Sequence, residues 1–229
     1  MTCQIFRAAV FAVLLLLGVM TCRQQALAGP PLICHPFDIG NAKSLPWNAS
    51  SDWRGIKSDY DSSRLIEDTL ALLVPETPVI VRMETMRRAA MYAIWSQRDS
   101  EMRYNLKNAN AARELLDRLL ARTRTGKAEA LFDAGYFAET WKNAADPRNP
   151  SGVDGYRLVQ KAIAQRGSDG AMEFAAALIT SQSSDKTAQR AHLQKAVSAA
   201  PEGSLLARNI VLHFGQRGQK LADLKVAKH

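Results

Sequence analysis

Cys34 and His35 are the residues whose types and adjacency come closest to a reactive site. A thiolate beside an imidazolium serves thiol-dependent enzymes, and Cys-His ends the haem-attachment motif Cys-x-x-Cys-His. The first cysteine of that motif is missing here, and neighbouring side chains of an extended chain point in opposite directions. A thiol-dependent enzyme or redox protein, with Cys34 as its reactive thiol, is therefore an alternative interpretation rather than the main one.

Other catalytic patterns are missing from the sequence. It contains no His-Glu-x-x-His, no paired Cys-x-x-Cys, no Gly-x-Ser-x-Gly and no phosphate-binding glycine loop. His192 and His213 lack a third metal ligand at a useful spacing. Asp133, Glu139 and Glu173 are expected to be acids on helix faces. We predict no catalysis, no cofactor and no metal site.

The candidate interaction residues are aromatic or basic. Tyr136 and Trp141 lie in the densest cluster of polar and aromatic residues and are predicted to anchor a protein or peptide partner. Arg87 and Arg88 are further partner-binding candidates. They belong to a run of arginines that is expected to form a solvated helix face, so binding to nucleic acid is not expected. The arginines of that run are Arg82, Arg87, Arg88, Arg98 and Arg103.

The N-terminus predicts export. Residues 1–28 combine Arg7, an apolar run over 8–20 and the cleavage pattern Ala26-Leu27-Ala28, which together are typical of a signal peptide. The apolar run would rise only about 20 Å as a helix, less than a bilayer core of about 30 Å, so no transmembrane segment is expected in the mature chain. We predict a periplasmic or secreted protein of a bacterial envelope. Lipoprotein anchoring at Cys22 is an alternative.

Net charge and cysteine content indicate what kind of protein remains after removal of the signal. Removal of the signal takes Arg7 and Arg23 and lowers the net charge from +8 to +6, a value that suits solubility better than nucleic-acid binding. Cys34 is then left without an intramolecular partner, so the fold must be stabilised by its core rather than by disulfides.

Residues 29–60 predict an irregular leader, because prolines and glycines interrupt every period. The leader nevertheless contains Phe37, Trp47 and Trp53, which a free linker rarely needs. We expect these three aromatic residues to anchor the leader against the helices. One hypothesis has the leader lying in a concave groove of the protein's own helices, as an internal ligand.

The rest of the chain predicts helices. Apolar residues recur at helical spacing over 61–127, which indicates helical hairpins, and helices alternate with short turns over 128–215. Residues 216–229 are basic and are expected to fray. No window alternates with the period of a strand, so the predicted fold class is all-α.

A repeat lies in the second half. Gln160-Lys161-Ala162-Ile163 returns 34 residues later as Gln194-Lys195-Ala196-Val197, which is the period of a tetratricopeptide (TPR) unit. Small, bulky and proline positions are also in register, whereas Glu173 and Gln189 depart from the pattern. The matching residues are Leu131, Gly135, Ala162, Ala177, Leu193, Ala196 and Pro201.

The chain from residue 128 therefore resembles TPR-like proteins, with Sel1-like repeats and generic helical hairpins as alternatives. The resemblance implies antiparallel hairpins stacked as a short α-solenoid that presents a binding surface. We interpret the protein as an exported interaction scaffold without catalysis, whose protein or peptide partner the sequence does not name. An envelope lipoprotein or membrane-associated assembly factor is an alternative.

Overall fold

A computed structural model describes residues 31–48, 55–95, 110–145, 151–216 and 218–226. The predicted signal peptide, Cys22 and Trp53 lie outside these ranges. Within the described residues the secondary structure is entirely helical, which confirms the all-α prediction. No helix in these ranges has the length and apolar character needed to cross a membrane.

The helices follow one another along the chain, mostly after short connections. Asp61 starts the first, because its side chain accepts a hydrogen bond from the Ser63 N–H and begins a 3-10 turn that continues into α1. The α-helices are α1 (Leu65–Leu72), α2 (Val79–Trp95), α3 (Asn110–Arg122), α4 (Ala128–Ala144), α5 (Gly155–Arg166), α6 (Gly170–Ile179), α7 (Thr187–Ala199), α8 (Leu205–Phe214) and α9 (Leu221–Val226).

Consecutive helices pair as antiparallel hairpins, and the hairpins stack. Helix α4 packs most extensively on α5, and α6 on α7. Helix α2 also contacts α4, α4 contacts α6, and α6 contacts α8. In addition, α2 contacts α6 directly. The first helices of successive hairpins therefore share one side of the stack.

Small residues permit the closest of these contacts. A Cβ on Gly135 of α4 would lie 2.5 Å from the carbonyl oxygen of Gly155, where α5 begins. Ala162 in α5 and Ala196 in α7, the two alanines of the sequence echo, are both fully buried. Gly135 thus permits the close approach of α4 and α5, and both alanines lie in the core.

The C-terminal segment corrects one prediction. Residues 221–226 were expected to fray, yet they form α9, which packs on α7 and α8. Leu221 is buried there, and the Lys220 N–H donates to Asp223 Oδ2 at 2.8 Å. The buried leucine and this local hydrogen bond stabilise α9, which the basic composition of the segment does not predict.

Candidate functional site

The candidate site is the surface of α2, α6 and α8 on which residues 31–48, here called the leader segment, lie. Phe37 is 4 % exposed. Its ring stacks on His213 of α8 with 4.6 Å between centroids, and it meets Phe174 of α6 edge-on at 6.1 Å. Leu32 and Leu45 are also buried in the main core. The leader segment is therefore irregular in conformation but packed against the helices.

Asn209 of α8 holds the leader by its backbone. Its Oδ1 accepts a hydrogen bond from the Asp38 N–H at 2.9 Å, and its Nδ2 donates to the Asp38 carbonyl oxygen at 2.8 Å. Nδ2 also donates to Leu205 O within α8, which fixes the amide in place. Because both partners on Asp38 are main-chain atoms, this pair of bonds does not depend on the residue type at that position.

Helix α2 binds two more stretches of leader backbone. Arg87 Nη1 donates to the Ile33 carbonyl oxygen at 3.0 Å, and Arg88 Nη1 donates to the Leu45 carbonyl oxygen. Tyr92 Oη, one turn further along, donates to the carbonyl oxygen of the next leader residue, Pro46, at 2.7 Å. Helix α2 thus supplies donors to both ends of the leader segment, which makes a turn at residues 39–42 between them.

A buried charge cluster organises these donors. Glu84 is fully buried, and its carboxylate accepts from Arg87 Nε at 2.8 Å and from Arg88 Nε at 2.7 Å. It also accepts from the Phe37 N–H at 3.0 Å. Two guanidinium groups face one carboxylate, so Arg87 and Arg88 have N–H groups left over. Leader carbonyl oxygens satisfy those groups, as buried donors require.

Trp47 continues the contact at the far end of the leader segment. The Arg87 guanidinium lies 4.7 Å from the centre of its ring, and Tyr92 meets the ring edge-on at 6.0 Å. A cation over an indole face is a favourable arrangement. Trp47 is only half-buried, so it rests on the surface of α2 while Phe37 is enclosed.

His213 is the polar side chain at the centre of this site. Among the described residues neither of its ring nitrogens has a hydrogen-bond partner, and the ring is fully buried. Burial, together with the smaller effects of the nearby His35 and Arg87, lowers the pKa of His213 to about 3. The neutral imidazole therefore acts as an aromatic wall, against which Phe37 stacks.

The surroundings of Cys34 and His35 favour the neutral form of both groups. Burial raises the pKa of the Cys34 thiol, and the charge of Arg87 only partly opposes this effect. Burial also lowers the pKa of His35, so both groups are neutral near pH 7. The described residues contain no group of three or more side chains able to hold a metal ion.

Tyr136 and Trp141 require a correction. Both side chains are fully buried in the main core, and Tyr136 stacks on Phe132 with 5.5 Å between ring centroids. They offer no surface to a partner, because α4 is enclosed by the helices on either side of it. Their density in the sequence reflects core packing.

The arginine run also lies mostly inside the fold. Arg82 is buried and donates to Asp133 Oδ2 at 2.6 Å. Arg87 is bound to Glu84 as described above, whereas Arg98 and Arg103 lie outside the described residues. The expectation of a solvated face is wrong for Arg82 and Arg87. Arg87 and Arg88 instead donate to the leader of their own chain.

A second polar cluster joins α5, α6 and α7. Glu173 Oε2 contacts His192 Nδ1, and His192 Nε2 lies 2.8 Å from the Tyr156 hydroxyl. Burial raises the pKa of Tyr156, so its phenol keeps its proton and is a poor nucleophile. A half-buried phenol in this protonation state fits a structural network between hairpins better than a catalytic relay.

Sequence reasoning missed Glu84, Arg208 and Asn209, and it considered His213 only as a metal ligand. A signal was present, since Asn209 and His213 are spaced i, i+4 within the mostly apolar helix α8 and therefore share one face. Comparison with protein families, characterised proteins and solved structures gives no match. The assignment of a site therefore rests on the geometry above.

Proposed function

We propose that this protein is an exported interaction scaffold whose groove, formed by α2, α6 and α8, binds an irregular polypeptide segment without catalysis. One observation carries the proposal: the hydrogen bonds from the helices to the leader are made mainly to its backbone. Leader atoms from Ile33 to Pro46 are held by Asn209, Glu84, Arg87, Arg88 and Tyr92. Main-chain contacts of this kind depend little on the sequence of the bound segment.

The leader then acts as an internal ligand that a partner replaces. An internal ligand tethered to its site has a high effective concentration. A partner must therefore bind the groove more tightly than the leader does, or bind when the contacts of the leader with the groove are weakened. The 34-residue echo and the buried small residues at Gly135, Ala162 and Ala196 support a TPR-like origin for the stack. The signal-like residues 1–28 support export into the envelope.

A thiol-dependent enzyme is less well supported. A catalytic cysteine needs a stabilised thiolate, whereas burial raises the pKa of Cys34. Cys34 is half-buried beside the groove, which fits a packing role where the leader contacts the helices.

The test uses the full chain with a weakened leader. We expect a fluorescein-labelled peptide copying residues 32–48 to bind the Phe37→Ala chain saturably by fluorescence anisotropy, and the wild-type chain more weakly because its groove is occupied. A scrambled peptide of the same composition is the control. Asp38→Ala, which changes a part-exposed side chain, is a second variant in case Phe37→Ala is poorly folded by circular dichroism. Equal binding of copied and scrambled peptides to a folded variant would contradict the proposal.

A further inference from the structure

Two consecutive leader residues, Phe37 and Asp38, make side-chain contacts that depend on their residue types. The ring of Phe37 is enclosed by two aromatic walls, the face of His213 and the edge of Phe174. An aromatic side chain keeps both ring contacts, whereas an aliphatic one fills part of the volume and loses the ring geometry. This position therefore selects an aromatic residue.

The next position selects an acid. Asp38 Oδ2 accepts from Arg208 Nε at 2.6 Å. Arg208 Nη1 also donates to Gly203 O at 2.9 Å, which orients the guanidinium toward the leader. The hydrogen bond from Arg208 to the carboxylate of Asp38 holds the pKa of Asp38 below its usual range. The carboxylate is therefore charged whenever the site is occupied near neutral pH.

This ion pair contributes more to selection than to stability. The side chains of Arg208 and Asp38 are 50 % and 38 % exposed, and pairs of such exposure contribute little to folding. A lysine or arginine placed against Arg208 would be repelled, however, and exposed charges of this kind act mainly on partner choice. Asn209 clamps the backbone of the same residue, so an acid bound there faces Arg208 in a fixed register.

We infer that the subsite of Phe174, Arg208, Asn209 and His213 recognises an aromatic residue followed directly by an acidic residue in a segment of a partner protein, which displaces Phe37 and Asp38. This inference rests on the proposed function, since it names the class of segment that the same groove takes. The leader sequence Phe37-Asp38 is the template for that class.

The experiment compares three labelled peptides on the full chain carrying Phe37→Ala, with Asp38→Ala as the second variant. One peptide copies residues 32–48, one replaces its Phe-Asp pair with Ala-Asp, and one replaces it with Phe-Lys. We expect the Ala-Asp and Phe-Lys peptides to bind about tenfold more weakly or worse, the change that corresponds to about 1.4 kcal/mol. Adding Arg208→Glu to the same chain should reverse the preference between the Phe-Asp and Phe-Lys peptides.

Each outcome bears on a different claim. Equal binding of all three peptides, with the scrambled peptide still excluded, would overturn the aromatic–acidic inference and leave the groove as a more general binder of polypeptide segments. Absence of binding by every peptide to a folded variant would refute the proposed function itself. A preference for Phe-Asp that Arg208→Glu fails to reverse would place the discrimination outside this subsite.

Discussion

Acidification should weaken this fold through His213, and replacement of that histidine should remove the effect. The ring is fully buried, it lacks hydrogen-bond partners among the described residues, and its pKa is lowered to about 3 from 6.5. The unfolded chain therefore binds a proton at a higher pH than the folded chain does. The stability that neutral His213 contributes is present above pH 6.5 and is lost as the pH falls below it.

The magnitude follows from the two pKa values. With 1.36 kcal/mol per pKa unit, the free energy of unfolding should fall by about 2 kcal/mol between pH 7 and pH 5 from His213 alone. Other groups add to the total. His35, whose pKa burial also lowers, acts in the same direction. Asp133 acts in the opposite direction, because burial raises its pKa to about 6 despite Arg82 nearby.

Comparison with His213→Phe isolates the effect, because His35 and Asp133 are common to both proteins. Phenylalanine suits a site between Phe37 and Phe174 and does not titrate. Urea unfolding of both chains at pH 7 and pH 5, followed by circular dichroism, should give a smaller pH dependence for the variant by about 2 kcal/mol. Phe174→Leu is the control, since it loses a ring but no titrating group. An identical pH dependence in wild type and His213→Phe would refute the reasoning.

Three further changes test separate parts of the structure. Glu84→Gln should destabilise the fold by about 3 kcal/mol or more in urea unfolding, because it leaves buried Arg87 without its counter-charge. The control Glu114→Gln, which breaks an exposed ion pair, should lower the unfolding free energy by less than about 1 kcal/mol. Equal effects of the two variants would contradict the buried charge cluster. Gly135→Ala should lower the unfolding free energy by about 1–2 kcal/mol, because its Cβ would meet the α5 backbone; an unchanged melting temperature would argue against that close approach. Iodoacetamide at pH 8 should label Cys34 more slowly in the native chain than in urea, as mass spectrometry of its peptide would show, because burial raises its pKa; faster native labelling would favour a reactive thiol.

The helices were predictable because their signals are local. The bounds of α4 follow from an apolar period that begins after Gly126 and ends before the proline-rich loop at 146–150. The close approach at Gly135 also has a local signature, a glycine in the middle of a helix. Such features depend on neighbours a few residues away, which the sequence displays directly.

The site depends on contacts between distant parts of the chain. Asp38 and Asn209 are 171 residues apart, and Phe37 meets Glu84 over 47 residues. Tyr136 and Trp141 have the residue types of interface anchors, and only the position of α4 inside the stack shows that they are core residues. Periodicity places a residue on a helix face, but it does not say whether another element covers that face.

Amide hydrogen exchange of the leader segment in the full chain tests the central claim most directly, because that claim is that the helices hold residues 31–48 as a ligand. The Phe37 and Asp38 N–H groups donate to Glu84 and Asn209. We predict that both amides exchange slowly, with protection comparable to that of α2, and that Asn209→Ala speeds exchange at Asp38 more than within α2. Exchange of the two amides at the rate of an unstructured peptide would contradict the account.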